Sequence, residues 1–295
     1  MLVARAAFAA GDRIYYADAP EEAPGAEAAH VAFLYSVTPS GRGQKVAMEA
    51  RGGSYLPAWS PDGRWLAYVR MRGADNSIYL FDSVRGRTRR LTHGVLPAWA
   101  PDNRSLAFVR PVAGAPQIFL IDIDGKKEEQ QLTNSGFNSV PTFSPDGQQL
   151  AFWSGDAGGF GQIWKMDREG KNRVQLTESK EDAYTPDGSS ANAPFWLYNA
   201  RIVYWSGNEQ RYGQIWSMNG DGSDKRQLTF VEAPASSDNP IWSPNGQYIL
   251  FDTQRRGRPE IWIMNGDGRK ARPLVRHVSV LPARASWRPP RMKER

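Results

Sequence analysis

The chain has 295 residues, 40% hydrophobic and 23% charged, a globular composition long enough to bury a core. It contains no cysteine, which excludes disulfides, thiolate metal sites and cysteine nucleophiles. The formal charge is +6 with a pI of about 9.5, and no apolar run approaches the roughly 20 residues that a membrane-spanning helix needs.

The start, MLVARAAFAAGDR, has small residues but no apolar h-region, and reads as mature chain or a clipped remnant. RIYYAD from Arg13, HVAFLYSV from His30 and KVAME from Lys45 read as three strands. Then comes PAWSPDGRWLAYVR, residues 57 to 70, an aromatic residue before a turn and an alternating run after it. SIYLFDSVRG from Ser77 is the next strand and turn, and Leu91-Thr92 ends a further strand.

The same sentence is written again. PAWAPDNRSLAFVR begins at Pro97, PTFSPDGQQLAFWS at Pro141 and PIWSPNGQYILFDT at Pro240. The marker aromatics are Trp59, Trp99, Phe143, Trp196, Trp242 and Trp287, at steps of 40, 44, 53, 46 and 45 residues. Between them recur QIFLIDIDG from Gln117, QIWKMDREG from Gln162, QIWSMNGDG from Gln214 and EIWIMNGDG from Glu260. Leu132-Thr133, Leu176-Thr177, Leu228-Thr229 and a worn Leu274-Val275 close the units. Each unit predicts four short strands, rich in aromatic and β-branched residues and bounded by Gly, Pro, Asn and Asp.

In SPDG, Pro61 suits the first central position of a type I turn and Gly63 the left-handed residue after it. Asn103 stands at the Gly63 position of a later unit, and Asn is the non-glycine residue that best tolerates that conformation. Asp62, Asp102, Asp146, Asp124, Asp221 and Asp267 therefore read as turn formers, and the Trp markers as packing between units.

Four-stranded units at this spacing predict an all-β, six-bladed β-propeller with four-stranded antiparallel blades. The expected organisation is one monomeric propeller domain over 1–295. Its blades fall near 1–54 with 280–290, then 55–94, 95–136, 137–182, 183–234 and 235–279, followed by a basic tail, 291–295. Pairing of the N- and C-terminal segments closes the ring. The closing strand is ARASWRPP from Ala283, with RAAFAAGDR and its Phe8 as the rival.

The phrase W-S-P-D-G-x-x-L-A-Y, then I-Y-x-x-D/N-x-x-G, then x-R-x-L-T, resembles the repeat of TolB-type propellers, most clearly over residues 55 to 270. FDTQRRGRPEIWIMNGDGRKARPL from Phe251 is especially similar. The resemblance implies a periplasmic or otherwise extracytoplasmic bacterial protein that binds protein partners within a larger envelope complex. A cytoplasmic location stays open. Related propellers gate prolyl-oligopeptidase-like enzymes or act as metal-dependent pectate-fragment lyases. The 295 residues show no counterpart of the TolB N-terminal α/β domain, so contacts made by that domain do not carry over.

A search for chemistry finds little. There is no G-x-S-x-G nucleophile elbow. The histidines are His30, His93 and His277, with no spacing that supplies two ligands from one element. His93 and His277 both follow a blade's last strand, and are the weak candidates for a divalent cation at the channel mouth. That would make a carbohydrate-active, lyase-like or glycan-binding propeller, the alternative reading. The leading reading is no enzyme and no cofactor, but a protein-binding scaffold.

Its expected surface is the loop between strands two and three. WSGDAGGFGQIW from Trp153 and WSGNEQRYGQIW from Trp205 align without a gap, each with an aromatic, Phe160 or Tyr212, before Gly-Gln-Ile-Trp. Neighbouring loops add Arg72, Asp75, Arg255, Arg256 and Arg258, and an acidic loop, APEEAPGAEAA from Ala19. Aromatic and Arg residues are the composition of interface hot spots.

Charge adds one expectation. From Arg269 to Arg295, nine Lys and Arg stand against Glu294 alone, so this segment carries about +8 and the rest about −2. It reads as a solvated tail or as a contact for an anionic surface. Nucleic acid is not expected, since no recognition helix or RNA-binding motif accompanies it.

Overall fold

The computed structural model describes residues 13–18, 31–43, 45–51, 54–72, 75–155, 161–178, 194–196, 201–207, 212–232, 234–255, 257–276 and 285–288. Phe8, the acidic loop from Ala19 and the tail 291–295 lie outside them. None of the described residues is helical.

The turn chemistry builds each first hairpin. Gly63 N–H donates to the Ser60 carbonyl at 2.9 Å, and Ser60 N–H to the Trp65 carbonyl at 2.8 Å. Gly63 (φ 69°) and Asn103 (φ 57°) both take the left-handed conformation. The Asp62 carboxylate accepts from Ser60 Oγ at 2.5 Å and from Arg64 N–H at 3.0 Å. Asp146 repeats this arrangement with Ser144, and Asn245 with Ser243. The Ser144 hydroxyl and the Gln148 N–H hold the Asp146 carboxyl below the usual carboxylate range. These side chains are spent on their own turns.

The strands form six four-stranded antiparallel sheets. Blade 1 contains β1 (Arg13–Asp18), β2 (Val31–Val37) and β3 (Lys45–Arg51). Blade 2 runs β4 (Ser54–Trp59), β5 (Trp65–Arg72), β6 (Asp75–Asp82) and β7 (Arg87–His93). Blade 3 runs β8 (Val95–Trp99), β9 (Ser105–Val112), β10 (Ala115–Asp122) and β11 (Gln130–Gln131). Blade 4 runs β12 (Phe137–Phe143), β13 (Gln149–Gly155), β14 (Gly161–Asp167) and β15 (Val174–Gln175). Blade 5 runs β16 (Phe195–Trp196), β17 (Arg201–Gly207), β18 (Gly213–Asn219) and β19 (Arg226–Gln227). Blade 6 runs β20 (Ser237–Trp242), β21 (Tyr248–Thr253), β22 (Glu260–Asn265) and β23 (Arg272–Arg276).

The last strand, β24 (Ser286–Arg288), returns to blade 1 as its innermost strand. It pairs Arg13 with Arg288, Ile14 with Trp287 and Tyr15 with Ser286. The C-terminal strand therefore closes the ring, one of the two candidates that the sequence leaves open. Arg288 reinforces the seam to blade 2: its guanidinium lies 4.4 Å from the Trp59 ring centre and donates to Gly63 O and Ser83 Oγ.

The core sits between blades. Six buried clusters mark the six seams, each mixing side chains of two neighbours. Ile14, Tyr16 and Trp287 meet Ile261, Ile263 and Leu274, for example, and Tyr15 meets Trp59, Leu66 and Tyr68. A blade buries its apolar faces only against its neighbours, so the ring has to close.

Three outer strands are shorter than the repeat predicts: β11, β15 and β19 have two residues each. A side chain continues the ladder in their place. Thr133 Oγ1 accepts the Ile118 N–H at 2.8 Å and donates to Gln117 Oε1 at 2.7 Å. Thr177 does the same for Ile163 and Gln162, and Thr229 for Ile215 and Gln214. The recurring Gln-Ile and Leu-Thr markers are thus the two halves of one buried hydrogen-bonded lock.

Two substitutions test this account. Thr133→Val keeps the shape but leaves the Ile118 N–H without its acceptor, while Gln117 keeps Asn138 and Gly136; a loss of about 1–3 kcal/mol in urea unfolding is expected. Trp287→Ala opens the closing seam and is expected to cost about 3–5 kcal/mol in the same measurement.

Candidate functional site

Antiparallel order sends the first and third turns of every blade to one face, here the turn face. The second turn and the blade-to-blade connection emerge on the opposite, loop face.

Just inside the loop face, three blades stack an arginine on an aromatic pair. Arg70 lies 4.6 Å from the Tyr79 ring centre, with Tyr68 alongside. Arg110 lies 4.9 Å from Phe119, beside Phe108. Arg255 lies 4.6 Å from Trp262, beside Phe251. Arg110 also ties two blades together, donating to Thr92 Oγ1 and the Glu129 carboxylate at 2.8 Å and to the His93 carbonyl at 3.0 Å. Arg255 is half-buried and donates to Ser237 Oγ at 3.2 Å; burial lowers its pKa from the ordinary value. Arg258 is exposed.

Of the other sequence-predicted site residues, the described ones lie around this rim. Arg72 and Asp75 are backbone partners flanking the blade 2 loop. Tyr212 is half-buried at the entry to β18. Phe160 lies outside the described residues. The glycines of the aligned loops have a packing reason: the buried indole of Trp153 leaves no room for a Cβ at Gly161, and Trp205 and the Asp238 carboxylate leave none at Gly213.

His93 is exposed, its Nε2 against the Arg90 guanidinium. A cation at that nitrogen opposes a second cation. His277 lies outside the described residues, and among the described residues no three His, Cys, Asp or Glu stand together as metal ligands.

Sequence reasoning missed Asp238. It is the second residue of β20, opposite Asp252 across the strand pair, and takes a hydrogen bond from Ser236 Oγ. Asn239 Nδ2 donates to Asp252 Oδ2 at 3.1 Å. Burial pushes the Asp238 pKa up to about 6, against the lowering effect of the Ser236 hydroxyl. No local motif marks it; Asp238 is half-buried, and the packing of blade 5 against blade 6 takes most of the water from its carboxylate.

The channel is a second feature that the repeat half-conceals. Its cavity, about 240 Å³, is lined by the innermost strands of all six blades. Leu56, Leu96, Val140 and Asn239 all have φ between 49° and 57°, each just before a proline. Each sits in a register shift of its innermost strand. Proline cannot join the ladder, and the bulge lets it stay in the strand. A left-handed β-branched residue such as Val140 is strained. The proline beginning each repeated phrase was the available signal. The described lining is proline, tryptophan, phenylalanine and aliphatic residues with Ser60, Thr142, Ser144, Asn239 and Ser286, and no ionisable side chain.

A ring of six seams around an apolar channel defines a β-propeller that displays loops on a rigid frame. Residues 34–289 match the family described as the TolB beta propeller domain, PD40, and the chain belongs to that family. A TolB homolog of Chlorobium chlorochromatii is 29% identical over 123 residues, 41% of this chain and 28% of that protein. The Tol-Pal system protein TolB of Nitratidesulfovibrio vulgaris is 25% identical over 129 residues, 43% of this chain and 29% of that protein. The chain thus matches under a third of the length of either relative. The crystal structure of TolB from Acinetobacter baumannii superposes with a TM-score of 0.75 at 24% identity, over 94% of this chain and 67% of that one. At that identity the likeness shows the fold.

Asp238 gives a signed pH prediction. Its folded pKa, about 6, lies above the ordinary 3.8. At low pH both states hold the proton and nothing is lost. As pH rises from about 4 to about 6 the unfolded chain ionises first, so stability falls, by about 3 kcal/mol in all. Asp238→Asn should raise the urea midpoint at pH 7 and leave it nearly unchanged at pH 4. An equal shift at both pH values would assign the effect to packing.

Proposed function

We propose that this propeller is a non-enzymatic binding and scaffolding module of the bacterial cell envelope, periplasmic or otherwise extracytoplasmic, that captures a protein partner on its loop face. The observation that carries the reading is the set of arginine–aromatic stacks just inside that face, Arg70 on Tyr79, Arg110 on Phe119 and Arg255 on Trp262. The channel walls, described from mid-strand to the turn-face residues Pro61, Pro101, Pro145 and Pro244, are apolar and offer no carboxylate, imidazole or amine for acid–base work or metal ligation. A lyase-like or glycan-binding site in that stretch of the channel would need ligands that these walls do not supply.

Membership of the TolB propeller family supports the same role. One relative carries the name of a Tol-Pal system protein, which fits a subunit of a larger envelope assembly. At the rim, Arg255 and its aromatic pair form a base, and we assign the variable contacts to Tyr212, Arg258, Arg72, Asp75 and, from the sequence alone, Phe160.

Affinity capture from the source organism tests the reading. Wild-type protein should retain a defined protein partner. Tyr212→Ala, Phe160→Ala and Arg258→Glu, each with an unchanged thermal midpoint, should lower its affinity; a hot-spot position would lose roughly 30-fold or more. Capture that is unchanged in all three variants would move the binding surface off this face.

A further inference from the structure

The turn face carries its charge unevenly. Blade 6 presents Arg269, Lys270 and Arg272 there, and blade 1 presents Arg13, Arg42 and Arg288. Blade 2 adds Arg64, Arg85 and Arg87. These three blades are consecutive in the ring, because β24 joins the chain's end to its beginning. Among the described residues of this sector, the turns hold only three carboxylates: Asp62, Asp82 and Asp267. All three accept backbone N–H groups of their own turns.

The cations are left largely uncompensated. Only Arg64, 3.1 Å from Asp82, and Arg269, 3.9 Å from Asp267, face a carboxylate among the described residues. Arg13 donates to Ser36 and to the Gly43 carbonyl, and Arg272 to the Pro39 carbonyl. Arg288 spends its donors on Tyr15, Gly63 and Ser83. These are neutral partners, and the positive charge remains. On the other half of the same face the pattern reverses. Arg168 is 2.7 Å from Asp102, and Arg201 and Arg226 are each 2.8 Å from Asp224.

We propose that the sector formed by blades 6, 1 and 2 docks the propeller, turn face down, on an anionic lipid surface. The turn tips of a closed ring lie side by side on one end of the disc, the shape a planar charged surface meets. All but one of the nine cations are arginines, whose planar fork matches phosphate oxygens. Val84, beside Arg85 at a turn tip, is 61% exposed. An apolar side chain among arginines suits the headgroup–acyl boundary, where basic groups meet anionic headgroups and an apolar tip loses water. The sector lies opposite the loop face, so the docked protein would still present that face to a partner. The proposal does not depend on the loop-face reading.

Vesicle co-sedimentation tests it with the full chain. The probes are phosphatidylcholine vesicles with and without about 30% phosphatidylglycerol, at about 0.15 M and 0.5 M salt. Wild-type protein should bind only the phosphatidylglycerol vesicles, and less at high salt. Arg85→Glu/Arg87→Glu and Arg269→Glu/Lys270→Glu alter exposed turn tips and should each weaken binding by roughly tenfold or more. Lys126→Glu/Lys127→Glu, on the balanced half, should change it little. No binding to the phosphatidylglycerol vesicles, or an equal loss in the blade 3 control, would overturn the proposal. So would binding to polyglutamate or a single-stranded oligonucleotide but not to the vesicles, which would make the sector a site for an acidic macromolecule.

Discussion

The structure depends on the pairing of β24 with β1. Three residue pairs join the ends of a 295-residue chain, and the loop closed between them is nearly the whole molecule. Such a contact forms late and costs chain entropy. It is offset by the seams that it completes: Trp287 in the cluster with Ile261 and Leu274, and Arg288 over Trp59. Without it, blade 1 would expose a bare strand edge and two apolar faces. The closure also has an electrostatic consequence. It sets Arg13 and Arg288 between the cations of blades 6 and 2, which the linear chain keeps far apart.

Rigidity comes at a local cost. The innermost strands hold Leu56, Leu96, Val140 and Asn239 in the left-handed region ahead of prolines, a conformation that the leucine and valine side chains resist. The surrounding seams over-determine it. The product is a channel wall with few backbone donors to offer. Asp238 is a second departure from the most stable arrangement, a carboxyl desolvated between two blades near the loop face. Departures of this kind gather where a surface is kept for use.

Much of the fold was legible because its signals are local. Ser60, Pro61, Asp62 and Gly63 build a hairpin turn from their own side chains and φ angles, and Asn103 substitutes for glycine for the same reason. The Trp markers counted the blades. The Gln-Ile and Leu-Thr phrases were legible as markers only. That Thr133 replaces a ladder bond for Ile118 became visible when the outer strand proved two residues long. The candidate site was less legible. Arg255 and Arg258 look alike in the sequence, yet one is packed on Trp262 and the other is exposed.

The sequence by itself determined the blade: its four strands, its turns, its number of repeats and the family. Alternation and turn preference act over about ten residues, so they survive translation into a string of letters. The tertiary structure alone decided which strand closes the ring, which carboxyl has its pKa raised and which cations find partners. Those are sums over neighbours in space. In a closed ring the neighbours that matter, Trp59 and Arg288 or Gly213 and Asp238, come from different blades.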